Sequence, residues 1–254
     1  MAKRPLTFLL SVGIAIAALA LGPLKEARPQ DAVFATANNH YKNSEFKEAI
    51  AAYESILSQG RCSAALYFNL GNAYFRRHQI GRALLSYERA RRLTPRDADI
   101  QTNMQLARSQ LAYVQPPRMK LLRRISRMPF QWVNLDEWSV AVLLLYLVLM
   151  TVLGAMALRK TARRRLKGPA QALAVIFVLG LCLMYVKIKD LGREALVVQP
   201  RAEARFAPFE KATAYFELSE GMNVLVIEEK QDWLKVERPD GKTGWVAGSG
   251  LALI

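Results

Sequence analysis

Two long apolar runs near the middle of the chain constrain its fold more than any other feature. They are Val140–Leu158 and Ala170–Val186, and neither contains a charged residue. A helix rises about 1.5 Å per residue, so about 20 residues cross the hydrocarbon core of a bilayer. A helical hairpin buried in a soluble domain is the alternative, but soluble core helices rarely run this far without a charged face. The runs therefore predict two transmembrane helices, at 139–158 and 169–188, that separate an N-terminal from a C-terminal part.

The positive charge of the chain gathers beside these predicted membrane helices. The net charge is +15, which a nucleic-acid-binding protein would also show, but five of the basic residues lie at 118–127 and six more lie between the apolar runs. Segment 159–168 is predicted to be a cytoplasmic loop, because basic loops stay on the cytoplasmic side. The basic residues that set this topology are Arg159, Lys160, Arg163, Arg164, Arg165 and Lys167. The basic segments are expected to contact lipid headgroups.

The N-terminal residues 1–22 are predicted to be a signal peptide or an N-terminal anchor. Lys3 and Arg4 precede an apolar stretch that ends in small residues, as in a secretory signal. Either reading exports the segment that follows, which agrees with a cytoplasmic 159–168 loop and places both soluble parts outside the cytoplasm. Segment 118–133 alternates basic and apolar residues at helical spacing and is predicted to be an amphipathic juxtamembrane helix.

Residues 31–112 repeat with a period of 34. Ala37-Asn38 recurs as Gly71-Asn72, Ala49 recurs as Ala83, and Tyr53 recurs as Tyr87. This pattern resembles the tetratricopeptide repeat (TPR), and the second copy matches the family pattern better than the first. The resemblance implies two all-α repeats, at 31–60 and 64–95, followed by a capping helix at 97–111. Two repeats and a cap are few for stability on their own, so packing against the membrane or a partner is expected.

The TPR resemblance also implies a concave groove that binds a protein segment. By match to the family pattern, its candidate residues are Asn38, Tyr41, Asn69, Asn72, Phe75 and Arg76. TPR domains that clamp a peptide carboxylate carry Lys or Arg at further positions, which are Phe34, Asp99 and Asn103 here. An apolar groove edged by aromatic side chains is therefore predicted instead of a carboxylate clamp. The alternative for Tyr41 and Phe75 is that they only pack.

Residues 194–254 change to the short alternating runs typical of β-strands. Five such runs, separated by turn signals such as Asp240-Gly241, predict a small closed barrel. The order of Gly221, Trp233 and Gly244-Trp245-Val246 resembles the bacterial SH3-like (SH3b) domain. Tyr215 and Trp233 are the candidate binding face, and the alternative is that both rings fill the barrel.

The full order of signal segment, TPR pair, membrane hairpin and SH3-like barrel resembles the BatE-like proteins of bacterial aerotolerance operons. That resemblance implies an envelope protein that works beside von Willebrand factor A-type Bat proteins and a MoxR-type ATPase. The predicted function is a non-catalytic scaffold in the bacterial inner membrane, with both soluble domains periplasmic. The alternative is a peptidoglycan-binding module whose repeats recruit a wall enzyme or sensor. No cofactor, metal or nucleic acid is predicted, and an enzyme is not expected because no phosphate loop, nucleophile elbow or metal triad occurs.

Overall fold

The computed structural model describes residues 29–111, 133–190 and 192–254. The predicted signal or anchor at 1–22, and nearly all of the predicted amphipathic segment at 118–133, lie outside these described residues.

The N-terminal part is a stack of antiparallel helices joined by short turns. Their bounds are α1 Pro29–Lys42, α2 Phe46–Ser58, α3 Ala64–Arg76, α4 Ile80–Leu93 and α5 Ala98–Ser109. Side-chain caps start two of them. The Ser63 hydroxyl accepts a hydrogen bond from Leu66 N at 3.1 Å, and Asp97 accepts from Ile100 N at 3.2 Å. Such caps satisfy backbone amides that have no partner inside the helix.

The core of this helical part repeats with the sequence period. Tyr53 and Tyr87 are fully buried at equivalent positions, and the small residues Ala37, Ala49 and Ala83 have no exposed surface. Small side chains let neighbouring helices approach, and the two tyrosine rings fill the space that remains. The same buried cluster includes Leu196, which belongs to the C-terminal part of the chain.

Two long helices, α6 (Leu135–Leu158) and α7 (Lys160–Asp190), form an antiparallel hairpin. Asn134 and Glu137 build a capping box at the start of α6, and Trp138 Nε1 donates to the Gly180 carbonyl at 3.3 Å. Both helices are long and apolar enough to cross a membrane. Their apolar side chains are largely exposed, so little else in the protein covers them.

Segment 159–168 is not an extended loop in the structure. Only Arg159 interrupts the helices, and α7 begins at Lys160 and continues through Pro169. Basic residues, Ala and Leu are good helix formers, and the run 160–168 consists mainly of these types, so the second helix extends back through it. The basic residues are thereby carried on the first turns of α7.

The C-terminal part is one antiparallel sheet. Its strands are β1 Glu194–Val197, β2 Arg201–Arg205, β3 Ala214–Ser219, β4 Asn223–Lys230, β5 Trp233–Glu237, β6 Thr243–Ala247 and β7 Leu251–Leu253. They are ordered β3-β2-β6-β5-β4-β1-β7, with β3 and β7 at the two ends. The inward-facing side chains of the sheet, among them Ala204, Leu218 and Val236, form a second buried core.

The prediction of five strands was wrong, because the sheet has seven. Strand β2 reads Arg-Ala-Glu-Ala-Arg, and only its two alanines face the core, so it lacks the β-branched and aromatic residues that mark a strand. Strand β7 is only three residues long. Within 192–254 the strand order is also linear, so hydrogen bonds do not close the predicted barrel.

Both soluble parts lie at the same end of the helical hairpin. Arg96, just after α4, pairs with Glu137 in the first turn of α6 at 2.6 Å. Lys187, near the end of α7, lies 3.8 Å from Glu194 on β1. The helical part and the sheet therefore meet where the hairpin begins and ends.

Candidate binding surfaces

A ladder of asparagine side chains runs across the first helix of each repeat. Asn38 Oδ1 accepts from Asn69 Nδ2 at 2.9 Å and from the Tyr53 hydroxyl at 2.6 Å. One period later, Asn72 Oδ1 accepts from Asn103 Nδ2 at 2.8 Å and from the Tyr87 hydroxyl at 2.7 Å. The ladder therefore joins α1 to α3 and α3 to α5.

Three of the predicted groove residues, Asn38, Asn69 and Asn72, are thus brought together by the structure. Asn103 is the fourth member of the ladder. From the sequence, this position was interpreted only as one that lacks the Lys or Arg of a carboxylate clamp. The signal for it was available, because Asn69 and Asn103 are one period of 34 apart.

The outward amide groups of this ladder are its chemically useful feature. Asn38 and Asn72 each use Oδ1 for both of their hydrogen bonds within the described residues, which leaves Nδ2 as a donor. Both residues are half-buried, and neither Nδ2 atom is among the buried side-chain atoms that lack a hydrogen-bond partner, so both amide groups are accessible to solvent. These amide groups can donate to the backbone carbonyls of an extended chain.

The tyrosines beneath the ladder are held neutral. Burial, with a smaller contribution from the neighbouring Tyr41, raises the pKa of Tyr53 to about 12, and burial raises that of Tyr87 as well. A tyrosine with a raised pKa remains a hydrogen-bond donor over the whole physiological range. The Asn72 and Asn38 acceptors are therefore occupied by permanent donors.

The other predicted groove residues lie about one turn further along α1 and α3 than Asn38 and Asn72. Tyr41 packs against Phe46, with ring centroids 5.5 Å apart, and the guanidinium of Arg76 lies 4.6 Å from the centroid of the same ring. Tyr41 and Phe75 are half-buried against the helical core, so both have a packing role. Arg76 is exposed and adds a positive charge to this end of the surface.

A second surface lies on the connection between β2 and β3 and at the start of β3. Phe206, Phe209 and Tyr215 are 63%, 56% and 44% exposed, and the Phe206 and Tyr215 rings are 4.5 Å apart. We call these three residues the aromatic patch. Sequence reasoning found Tyr215 but missed the two phenylalanines, because they stand in a turn beside Pro208 and outside any strand pattern. An exposed cluster of this kind is typical of an interaction site.

Positive charge borders the aromatic patch. Lys242 Nζ lies 5.9 Å from the Tyr215 ring centroid. Arg238 stacks 5.1 Å from the Phe216 ring centroid and forms an ion pair with Asp240. Its hydrogen bonds lower the pKa of the Asp240 carboxyl to about 2, so this pair stays charged. The patch therefore combines exposed rings with a fixed polar border.

Trp233 lies elsewhere on the sheet. It is on β5, where it pairs with Ala247 of β6, and two strands, β6 and β2, lie between β5 and the β3 strand of Tyr215. Within 192–254, no ring contact joins Trp233 to Tyr215. Trp245 is buried, with Lys235 Nζ 5.6 Å from its ring. The structure thus separates the two members of the predicted SH3 binding face.

Comparison with known families agrees with this architecture. The tetratricopeptide repeat family matches residues 64–97, which span α3 and α4. The bacterial SH3 domain family matches residues 198–251, which span β2 to the start of β7. The chain contains a tetratricopeptide repeat and a bacterial SH3 domain. The predicted fold class, helical repeats with a two-helix apolar hairpin and a C-terminal SH3-like domain, is confirmed.

No curated protein matches the chain. Among the described residues, no three His, Cys, Asp or Glu side chains are grouped so that they could hold a metal ion. His40 Nδ1 lies 2.5 Å from a carboxylate oxygen of Glu45. His78 is in the turn after α3, with a backbone φ of 58°.

Proposed function

We propose that this chain is a non-catalytic scaffold of the bacterial inner membrane whose TPR and SH3 domains gather envelope proteins on one side of the bilayer. The two domain types support protein–protein interaction and an envelope location. The hairpin supports a membrane anchor with both domains at one end. The domain order resembles that of the BatE-like aerotolerance proteins, whose partners are von Willebrand factor A-type Bat proteins and a MoxR-type ATPase.

The observation that carries this proposal is the row of outward amide donors on the TPR surface. Asn38 and Asn72 lie one repeat apart, are fixed by the tyrosines beneath them, and keep Nδ2 available. Fixed donors lose little conformational freedom when a ligand binds, and neutral amide N–H groups can pair with the backbone carbonyls of an extended peptide. No positive side chains complete a carboxylate clamp at Phe34, Asp99 and Asn103.

A conservative substitution tests the TPR surface without removing the ladder. Asn72→Asp keeps an acceptor for Tyr87 and Asn103 but replaces the outward donor with a negatively charged oxygen. In membranes that are crosslinked before solubilisation, mass spectrometry identifies the proteins captured with the wild type. The variant is expected to lose most of these partners. Asn39→Asp, an exposed neighbour with no side-chain partner in the ladder, is the matched control. Identical partner sets for all three chains would refute the scaffold.

A second candidate function, peptidoglycan binding, is favoured by the exposed aromatic patch in a bacterial SH3 domain. Aromatic faces bury large areas of a ligand at low entropic cost. The full chain in detergent is expected to co-sediment with purified sacculi under this reading, and the combined Phe206→Ala and Tyr215→Ala change is expected to abolish it. Ile227→Ala, which also truncates an exposed apolar side chain on the same sheet, is the control. Absence of wild-type sedimentation would exclude this candidate and leave the scaffold standing.

A further inference from the structure

One helix of the TPR region, α4, is contacted at both ends by the SH3 domain. At its first turn, Gln79 makes no side-chain cap, and the Gly81 amide donates instead to Glu220 Oε1 at 2.6 Å. Glu220 belongs to the turn between β3 and β4. A carboxylate at a helix N-terminus satisfies an amide without an intrahelical partner and complements the helix dipole. The SH3 domain therefore supplies the cap that the helix lacks.

At the other end, α4 covers an exposed edge of the sheet. Arg89 Nη2 donates to the Leu253 carbonyl at 2.6 Å, and Arg92 Nη1 donates to the Ile254 carbonyl at 3.0 Å. Arg92 also pairs with Glu194 on β1. Strand β7 is at the end of the sheet, where unpaired carbonyls invite association with other chains. Arg89 satisfies such a carbonyl at the last residue of β7, and Arg92 satisfies that of Ile254, which follows the strand.

Apolar side chains also join the two domains between the ends of α4. Leu196 of β1 is 1% exposed and lies in the helical core cluster. Gly221, at φ of +76°, comes so close to α4 that a Cβ there would lie 2.7 Å from Leu84 Cδ1. On the helix side, a Cβ at Gly81 would lie 2.9 Å from Val198 Cα. Glycine on both sides lets the backbones approach to a distance that a side chain would prevent.

Two clefts that Val198 lines lie along this contact. They have volumes of about 320 and 350 Å³, and Arg82 lines both. Apart from these clefts, the contact is made by polar groups at the ends of α4, by Leu84 on α4 and by Leu196 on β1.

From these contacts we infer that the SH3 domain is a structural part of the TPR domain and docks on α4 in the manner of an additional repeat. The inference goes beyond the proposed function, because it holds whichever ligand either domain binds. It supplies what two repeats and a cap lack, since stacked repeats need neighbours to bury their outer faces. Its consequence is that the asparagine ladder and the aromatic patch keep a fixed relation to each other.

Hydrogen exchange in the full chain, solubilised in detergent, tests the inference. Glu220→Ala is expected to speed amide exchange in the first turns of α4 by about 2- to 30-fold, the range expected for loss of a helix cap. Glu220→Gln retains an acceptor and is expected to restore most of the protection. Glu217→Ala, which removes an exposed carboxylate from the preceding strand β3, should leave the exchange of α4 amides unchanged. Unchanged exchange in α4 with Glu220→Ala would overturn the inference.

A variant on the helix side keeps the test decisive if Glu220→Ala unfolds the SH3 domain. Arg92→Ala lies in the TPR region but is expected to speed exchange in β1 and β7 of the SH3 domain several-fold. If its effects stay within α4, the two domains are independent and the inference is wrong. Neither result depends on partner or sacculus binding, so failure here is separate from failure of the proposed function.

Discussion

At the scale of single residues, the two ends of the Asn72 amide have different roles: Oδ1 accepts the hydrogen bonds of the ladder, and Nδ2 is available to a ligand. We expect Asn72→Ala to destabilise the protein by about 1–3 kcal/mol, because the buried Tyr87 hydroxyl and Asn103 Nδ2 lose their shared acceptor. Asn72→Asp keeps that acceptor, and its free energy of unfolding is expected to lie within about 1 kcal/mol of the wild-type value. Urea unfolding of the full chain in detergent, followed by near-ultraviolet circular dichroism, measures both.

Asn39→Ala provides the baseline for this comparison, because Asn39 is exposed on the same helix as Asn38. If Asn72→Ala were no more destabilising than Asn39→Ala, the ladder would contribute nothing to folding. In that case Asn72→Ala could also be used to test the binding surface. With the expected loss of stability it cannot, because a loss of binding could then come from unfolding.

The buried tyrosines predict a loss of stability at alkaline pH. The folded-state pKa is raised to about 12 for Tyr53, by burial first, and to about 12 for Tyr74, by burial and then by its hydrogen bond to Glu54. Because unfolded tyrosine loses its proton near pH 10, the unfolded state binds fewer protons above that pH and stability falls as pH rises towards 12. By about pH 11, each residue should contribute roughly 1 kcal/mol less than at neutral pH.

Tyr53→Phe isolates one of these contributions. The variant loses the 2.6 Å hydrogen bond to Asn38 at every pH, so it should be less stable than the wild type at neutral pH. It also has no proton to lose, so the difference between its unfolding free energies at neutral and alkaline pH should shrink. An unchanged difference would show that Tyr53 does not titrate with unfolding.

At the scale of elements, the hairpin depends on close packing at one glycine. A Cβ at Gly180 on α7 would lie 3.3 Å from Val142 Cγ2 on α6, next to the Trp138 hydrogen bond to the Gly180 carbonyl. Small residues permit such approach between membrane helices. Gly180→Leu is expected to cost about 1–3 kcal/mol through overpacking. Gly154→Leu should cost little, because nothing lies within 4 Å of a Cβ there.

Unfolding of the two leucine variants in mixed micelles with sodium dodecyl sulfate measures this difference. The Gly180→Leu midpoint should fall well below that of Gly154→Leu. Equal midpoints would show that α6 and α7 are held by the domains at their ends and not by contact with each other.

The elements also show where sequence reasoning succeeds and where it cannot. Periodicity of 34 predicted the repeats, because Tyr53 and Tyr87 must occupy equivalent spaces. Strand β2 escaped prediction because pairing with β3, and not its own composition, holds Arg201–Arg205 extended. Phe206 and Phe209 show no periodic pattern, because exposed residues in a turn do not alternate between a buried and an exposed face. The Glu220 cap joins residues 139 positions apart, and no local pattern reports such a contact.

At the scale of the whole molecule, the two cysteines report whether the hairpin lies in a bilayer. Cys62 is an exposed free thiol in the turn before α3, and Cys182 is exposed in the C-terminal half of α7. In spheroplasts, a membrane-impermeant maleimide should label Cys62 and leave Cys182 unreacted until detergent and denaturant are added. Labelling of Cys182 in intact membranes would place α7 in water, and labelling of Cys62 only after lysis would place the TPR region in the cytoplasm.

The junction between the hairpin and both domains is organised around one partly buried carboxylate. Glu194 is 12% exposed, pairs with Arg92 of α4 and lies 3.8 Å from Lys187 of α7. Arg96 and Glu137 form a second link that is 61% and 45% exposed. Removing one member of a buried pair leaves charge without compensation, whereas an exposed pair contributes little.

Glu194→Gln should therefore loosen the whole junction, and Glu137→Gln should not, since glutamine can still complete the Asn134 capping box. We expect exchange of β1 amides to rise at least about tenfold in the first variant and less than about twofold in the second. With the junction loosened, the domains turn independently of the membrane and their effective concentration for a shared target falls. Equal responses of the two variants would show that the connection through Lys187 and Arg92 does not orient the domains, and the hairpin would then be only a tether.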